Sequence, residues 1–313
     1  MMRTFTKEWV GLGIAALALT ACGSDDPLGG GSEEDGSAAE GTLVVGSQQY
    51  YSNTIVAELY AQVLEDAGYD VEREFEIGQR EVYMPELEAG EIDVFPEYTG
   101  NLLQYLDGDS EASTSEEVEA ELETALPEGL TVLAPAEATD QDSYTVTAEF
   151  AEENGLESIA DLAELEDLTI VSNSEFETRP YGPQGASEVY GAEISLLAVE
   201  DSGGQLTLNA LLDGEAEIAN IYTADPAIEE NDLVVLEDPE ELILPQNLFP
   251  LVSSAVDEEA QAALEEVSAA LTQEELIALN TRSVDEQVSA EDVAETWLVQ
   301  HQLIEPDGSG EEG

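Results

Sequence analysis

The chain has a single cysteine, a single histidine and only six basic residues among 313. One cysteine forms no intramolecular disulfide, and His301 with no Cys/His cluster gives no zinc-site pattern. The Asp140-Gln-Asp142 run lacks the glycine and distant glutamate of a calcium loop. No P-loop, Gly-x-Ser-x-Gly or strand-linked Gly-x-Gly-x-x-Gly motif is present. We therefore expect no bound metal, no cofactor and no enzymatic activity.

The scarcity of basic residues is matched by an excess of acidic ones. Six Lys and Arg stand against 73 Asp and Glu, which gives a net charge of −67. Such a surface repels nucleic acid and anionic lipid, so neither is an expected partner. The acids are spread along the whole chain, which is typical of solvation in a salty or exposed environment.

The one long apolar run near the start, at 10–19, is too short to span a bilayer as a mature helix. Two basic residues precede it, and Leu19-Thr20-Ala21-Cys22 follows as a bacterial lipobox. This pattern predicts a signal peptide over 1–22, with Cys22 as the lipidated residue. The Gly- and acid-rich segment 23–41 is expected to be a flexible tether. The chain would then be held at the outer face of the cell membrane.

From residue 42 onward, strand patterns and helix patterns alternate, which predicts an α/β protein with parallel sheets. Three helical patterns at the end, after residue 260, have no strands between them and are expected to pack back onto the first half. We therefore expect two lobes with a ligand cleft between them, connected by crossings near 138–142 and 243–250. The predicted division is lobe one at 42–140 plus 244–304, lobe two at 141–243, and a disordered tail at 305–313.

Two stretches, at 87–99 and 211–223, echo each other. Each reads as a helix end, a Gly-Glu turn, a short apolar strand and a Tyr-Thr pair. Open α/β sheets bind ligands at the carboxyl ends of their strands, so Tyr98 and Tyr222 are expected to face a shared cleft. The alternative is chance similarity between two α/β units.

The remaining candidates for ligand binding are tyrosine and arginine side chains. Tyr50, Tyr98, Tyr144 and Tyr222 lie near predicted strand ends or lobe crossings, and tyrosine faces attract a cation that cannot donate hydrogen bonds. Arg179, on a loop after a lobe-two strand, suits a carboxylate fork. The alternatives are packing roles for the tyrosines and a surface ion pair for the arginine.

Several motifs together resemble the ABC-transporter substrate-binding proteins for glycine betaine, choline and carnitine. The resemblance covers about 42–303, and its most specific mark is Pro96-Glu-Tyr-Thr-Gly100. It implies a periplasmic-binding-protein-like type II fold of two lobes that close on the ligand. Its other marks are Gly46-Ser47, Gly78-Gln-Arg-Glu-Val82, Glu175-Phe-x-x-Arg-Pro180, Tyr190-Gly191, Gly203–Ala210, Asn220–Pro226 and Leu233–Asp238.

The resemblance also implies site residues. The ligand ammonium would sit in a tyrosine box, and Arg179 would meet its carboxylate. Members often carry lysine where this chain has Gln48, threonine at the place of Asn101, and tyrosine at the place of Leu208. The implied ligand-binding residues are Tyr98, Tyr144, Tyr222, Arg179, Tyr50, Gln48, Asn101 and Asp142.

We therefore expect a lipid-anchored, monomeric receptor that delivers a quaternary amine to the permease and ATPase subunits of an ABC importer. Candidate ligands are glycine betaine, choline, carnitine and proline betaine. The retained Arg179 favours a zwitterion. The main competing hypothesis is the same two-lobe receptor with an amino acid or another polar zwitterion as its ligand. Two less favoured hypotheses are a lipid-anchored hydrolase and a purely structural lipoprotein.

Overall fold

A computed structural model describes residues 41–108, 110 and 112–306 of the chain. The predicted signal peptide, Cys22 and all of the predicted tether except Gly41 lie outside these residues, as does most of the predicted tail. The described chain forms two lobes, each built on a five-stranded sheet.

The first lobe starts with β1 at Thr42 and continues with alternating strands and helices. Local sequence sets several of the helix ends: α4 starts at a capping box in which Thr114 and Glu117 bond each other's backbone, and α2 stops at Gly90 in a left-handed conformation. The elements in chain order are β1 (Thr42–Gly46), α1 (Tyr51–Asp66), β2 (Asp70–Glu74), α2 (Arg80–Ala89), β3 (Val94–Tyr98), α3 (Thr99–Leu106), α4 (Ser115–Ala125) and β4 (Leu130–Val132).

The chain then crosses into the second lobe, whose strands are shorter. Two 3-10 helices, Ile159–Glu164 and Ser174–Thr178, flank one of them. The other elements are β5 (Thr145–Thr147), α5 (Ala148–Asn154), β6 (Leu168–Ser172), α6 (Pro183–Tyr190), β7 (Ile194–Ala198), α7 (Gln205–Leu212), β8 (Ile218–Ala219), α8 (Ala227–Glu230) and β9 (Leu233–Val235).

After β9 the chain returns to the first lobe. Three of the four elements there are helices that pack around α1, which explains why α1 is buried on most of its faces. Leu264, Leu279 and Trp297 join α1 in one hydrophobic core. The four elements are β10 (Leu248–Ser253), α9 (Glu258–Ala270), α10 (Gln273–Val284) and α11 (Ala290–His301).

The strand orders are β2-β1-β3-β10-β4 in lobe one and β7-β6-β8-β5-β9 in lobe two. The predicted α/β class is confirmed, but the prediction of parallel sheets is wrong in part. In lobe one, β10 runs antiparallel to both β3 and β4, and in lobe two β5 runs antiparallel to both β8 and β9. In each sheet, a strand next to a crossing between the lobes breaks the parallel pattern.

Strand β10 was not predicted, and its proline gives one reason. Pro250 faces Pro96 of β3 in the antiparallel register. The carbonyl of Pro96 accepts from Asn53, and that of Pro250 accepts from the Leu133 amide, so both point away from the shared edge. The missing proline N–H groups therefore cost no hydrogen bond between β3 and β10, and two neighbouring central strands each tolerate one proline.

The echoed segments share their turns and their anchoring. Gly90 and Gly214 both adopt φ of 70°, the left-handed conformation that favours glycine. The Thr99 hydroxyl donates to the Pro245 carbonyl, and the Thr223 hydroxyl accepts from the Gln141 amide. Each Tyr-Thr pair is thus tied to one of the two crossings between the lobes.

Candidate ligand-binding site

A cavity lies between the two lobes, at the carboxyl ends of parallel strands from both sheets. The volume inside it that the centre of a water molecule can occupy is only about 20 Å³. A ligand larger than one or two waters therefore enters only when the lobes separate. The lining residues are Gln48, Tyr50, Gln79, Arg80, Tyr98, Asn101, Asp140, Asp142, Asn173, Phe176, Arg179, Tyr181 and Tyr222.

The position of each lining residue follows from the topology. Tyr50 lies just after β1, Tyr98 ends β3, and Tyr222 comes three residues after β8. The loop after β6 contributes a further group from lobe two, which includes Tyr181. Because parallel strands end at the same edge of a sheet, these side chains meet where the two sheets face each other.

Three phenol rings form one wall. The Tyr50 hydroxyl donates to the Tyr98 hydroxyl over 2.5 Å, and the Tyr50 and Tyr222 ring centroids are 4.9 Å apart at 41°. Burial, together with the negative charge of Asp140, raises the pKa of Tyr98 well above its ordinary value. Burial is also the main cause that raises the pKa of Tyr50 and of Tyr222. All three phenols are therefore neutral at physiological pH and present uncharged ring faces.

Tyr144 does not line this cavity, in contrast to the other seven predicted ligand-binding residues. It is fully buried, its ring centroid lies 6.1 Å from that of Phe176, and its hydroxyl donates to the Tyr181 carbonyl. Tyr144 points to the same side as Val146 of β5, and both pack in the lobe-two core. The aromatic side chains that lobe two gives to the cavity are instead Phe176, Tyr181 and Tyr222.

Two buried acids come from the first crossing between the lobes. Asp140 accepts from the Ser52 hydroxyl and the Ala224 amide, each over 3.0 Å. Asp142 accepts from the side-chain amides of Asn101 (2.9 Å) and Asn220 (2.8 Å). Burial raises the pKa of Asp140 to about 7, and the charges of Asp225 and Asp142 add to the rise. Within the described residues, neither acid has an arginine or histidine partner within 4.0 Å.

Both arginines of the cavity are already paired. Arg179 lies in the wall as predicted, and its guanidinium holds Glu81 of α2 in a two-pronged contact of 2.7 and 3.1 Å. That pair joins lobe two to lobe one. Arg80 holds the fully buried Glu97 in the same way, over 2.7 and 2.8 Å. Burial lowers the pKa of Arg80 and Glu97 raises it, and the net shift is well upward.

Two polar atoms in the wall have no protein partner. Gln48 is 6% exposed and Asn101 is 9% exposed, yet Gln48 Nε2 and Asn101 Oδ1 make no hydrogen bond. Burial of an unpaired donor or acceptor costs about 1–3 kcal/mol. Such atoms in a cleft between lobes are positioned to bond a ligand.

Asp140, Tyr181 and Arg80 were not predicted as site residues. Asp140 is one of 73 acids, so its type alone carries no signal, although it stands at a predicted crossing. Tyr181 lies two residues after Arg179, so the loop that predicted one could have predicted the other. Arg80 stands in a motif that marked the family resemblance, and only the fold shows that it borders the cleft.

No group of three or more His, Cys, Asp or Glu side chains in the described part of the chain is arranged to hold a metal ion. Among the same residues, no helix has both the length and the apolar character needed to cross a bilayer.

Two α/β lobes with a closed, aromatic-walled cavity between them define a substrate-binding receptor of the periplasmic-binding-protein type. The chain belongs to the OpuAC family, the substrate binding domain of the ABC-type glycine betaine transport system, whose sequence model matches residues 41–300. The family is one of transport substrate-binding proteins rather than a class of enzymes.

Two curated relatives match along nearly their whole length. The "Glycine-betaine-binding protein" of Pseudomonas aeruginosa is 26% identical over 294 residues, which covers 89% of this chain and 94% of that protein. The "Glycine betaine-binding protein YehZ" of Escherichia coli is 26% identical over 278 residues, 84% of this chain and 91% of that one.

A solved structure described as a glycine betaine/carnitine/choline ABC transporter has the same fold. Its TM-score is 0.67 at 18% identity, with 83% of this chain and 99% of that chain covered. The predicted two-lobe type II architecture is thus confirmed.

Proposed function

We propose that this protein is the lipid-anchored, extracytoplasmic receptor of an ABC importer and that it binds a quaternary amine in a tyrosine cage. The cage is formed by Tyr50, Tyr98 and Tyr222. The observation that carries the proposal is the meeting of these three rings, from separate segments of both lobes, beside two acids without cationic partners. A cation near a desolvated ring face gains about 2 kcal/mol.

The ligand class is supported by the relatives as well as by the cavity. Both curated relatives are named for glycine betaine, whose ammonium carries three methyl groups and donates no ordinary hydrogen bond. Neutral aromatic faces and buried carboxylates attract such a group without requiring a donor. Glycine betaine, choline, carnitine and proline betaine are therefore the ligands to test.

The proposed place in the cell rests on the sequence. The lipobox that ends at Cys22 supports a lipid anchor at the outer face of the membrane, and the segment 23–41 supports a tether long enough to let the receptor reach its permease. We propose that the receptor is a monomer and that closure turns on the crossings near 138–142 and 243–250.

The role proposed for Arg179 on a ligand carboxylate requires the guanidinium to share its charge with Glu81. Its guanidinium already holds both oxygens of Glu81 across the cleft. The contact uses two of the five guanidinium N–H donors, so a ligand carboxylate meets an arginine whose charge Glu81 already balances.

Isothermal titration calorimetry with the four quaternary amines and a panel of amino acids tests the proposal. We expect heat of binding with at least one quaternary amine, and a loss of affinity of about tenfold or more in Tyr98→Ala, or about 1.4 kcal/mol. The surface variant Tyr105→Ala is the matched control. Binding of an amino acid and of no quaternary amine would refute the cage and favour the competing receptor hypothesis.

The anchor is tested separately by Cys22→Ala. In cells we expect the parent protein to fractionate with membranes and the variant to be released. An unchanged membrane fraction would contradict the lipobox assignment and leave the ligand proposal intact.

A further inference from the structure

The two unpaired polar atoms of the cavity differ in kind. Gln48 Nε2 can only donate a hydrogen bond, and Asn101 Oδ1 can only accept one. A hydroxyl both donates and accepts, so it has the two bonding functions that these atoms require. A carboxylate only accepts, so it satisfies Gln48 and leaves Asn101 unpaired.

The amide orientation of Asn101 is set by a neighbouring carboxylate. Asn101 Nδ2 donates to Asp142, and this bond fixes the amide with Oδ1 on the side that has no partner. Asn220 also donates to Asp142, so the carboxylate is held between two amides. A second carboxylate near Asn101 would therefore meet the negative charge of Asp142 and an unpaired carbonyl oxygen.

The charge of the cavity also disfavours a ligand that carries a carboxylate. Arg80 with Glu97 and Arg179 with Glu81 are two neutral pairs, each closed by two hydrogen bonds. Asp140 and Asp142 are left without a cation, and Asp140 adds its negative charge above about pH 7. Burial without a cation raises the pKa of Asp140 to about 7, which means that the ionised carboxylate is destabilised in the folded protein. A bound positive charge would stabilise that carboxylate.

We propose that the cavity selects a quaternary ammonium alcohol of the choline class over a zwitterionic betaine, with Gln48 and Asn101 bonding its hydroxyl. This inference rests on the proposed function and reverses the expectation that Arg179 favours a zwitterion. A choline-class ligand brings one positive charge, fills both unpaired positions and leaves both arginine pairs closed. A betaine brings no net charge, and its carboxylate meets arginines whose charges Glu97 and Glu81 already balance.

Four compounds separate the contributions of the ammonium, the hydroxyl and the carboxylate. We expect choline to bind about tenfold or more tightly than glycine betaine and about fivefold more tightly than tetramethylammonium, which has no hydroxyl. The neutral isostere 3,3-dimethyl-1-butanol should bind about 30-fold more weakly than choline. Tighter binding of glycine betaine than of choline overturns this inference but leaves the proposed function standing. Binding of none of the trimethylammonium compounds overturns both.

Variants at the two atoms test the assignment of the hydroxyl. In Asn101→Leu, choline should lose its advantage over tetramethylammonium, because the acceptor is gone while the cage remains. Retention of that advantage would overturn the assignment. The melting temperature of the variant, with and without tetramethylammonium, shows whether it is folded and whether its cage is intact.

Gln48→Lys is the complementary gain-of-function test. A lysine ammonium there should favour a carboxylate and shift the choline to glycine betaine affinity ratio about tenfold or more toward glycine betaine. Gln62→Lys adds the same charge in α1, about 17 Å along the helix from Tyr51, and should leave the ratio within about twofold. An unchanged ratio in Gln48→Lys, or an equal shift in Gln62→Lys, would overturn the inference.

Discussion

The Tyr222 ring is the best single probe of the cage. Its centroid lies 4.9 Å from that of Tyr50, and its side chain is only partly buried against the lobe-one core. Tyr222→Leu keeps apolar bulk and removes the ring face. If a desolvated ring contributes about 2 kcal/mol to a bound cation, affinity for choline and for glycine betaine should each fall about 30-fold.

Isothermal titration calorimetry measures that loss of affinity, and two further variants serve as controls. Tyr222→Phe keeps the ring face and should stay within about threefold of the parent, because the Tyr222 hydroxyl makes no hydrogen bond to the part of the chain that the structure describes. Tyr105→Leu changes an exposed tyrosine and should bind like the parent. If Tyr222→Leu, with an unchanged melting temperature, bound both ligands like the parent, the ring would not contact the methylated nitrogen and the reasoning would be refuted.

Three further predictions concern stability without ligand. The folded protein keeps Asp140 protonated up to about pH 7 while the unfolded chain ionises near pH 3.8, so the free energy of unfolding should fall as pH rises between those values. Asp140→Asn should flatten that decline in urea titrations from pH 4 to 8, and an unchanged slope would contradict the assignment. Arg80→Met strands the buried Glu97 carboxylate and should cost about 3–5 kcal/mol in urea unfolding, whereas a loss below about 1 kcal/mol would show that the pair is not buried. Gly100→Ala places a Cβ 2.6 Å from a backbone oxygen of the second crossing and should cost about 1–3 kcal/mol by calorimetry, while Gly108→Ala should be tolerated. Equal melting temperatures for the two glycine variants would contradict that contact.

Local patterns predicted many of the elements well. The helix end predicted in the first of the two echoing stretches is the end of α2, because Gly90 stops the helix in the left-handed conformation. The Tyr-Thr echo correctly brought Tyr98 and Tyr222 to one cavity. Both results depend on signals within about a dozen residues of one another, which a single sequence displays directly.

What the sequence did not reveal depends on distant partners. Strand β10 pairs with β3 across about 150 residues of chain, and its proline argues against a strand until Pro96 is found opposite it. Successive side chains of a strand point to opposite faces of the sheet, so the face to which Tyr144 points depends on the register of the chain entering β5. The pairing of Arg179 with Glu81 joins residues 98 apart in different lobes. None of these relations leaves a local pattern.

A crystal structure of the protein grown with choline would locate the ligand nitrogen. We expect the choline nitrogen between the lobes, within about 6 Å of the ring centroids of Tyr50, Tyr98 and Tyr222. Choline bound outside this cavity, or inside it with its nitrogen on the carboxylates and away from all three rings, would contradict the account.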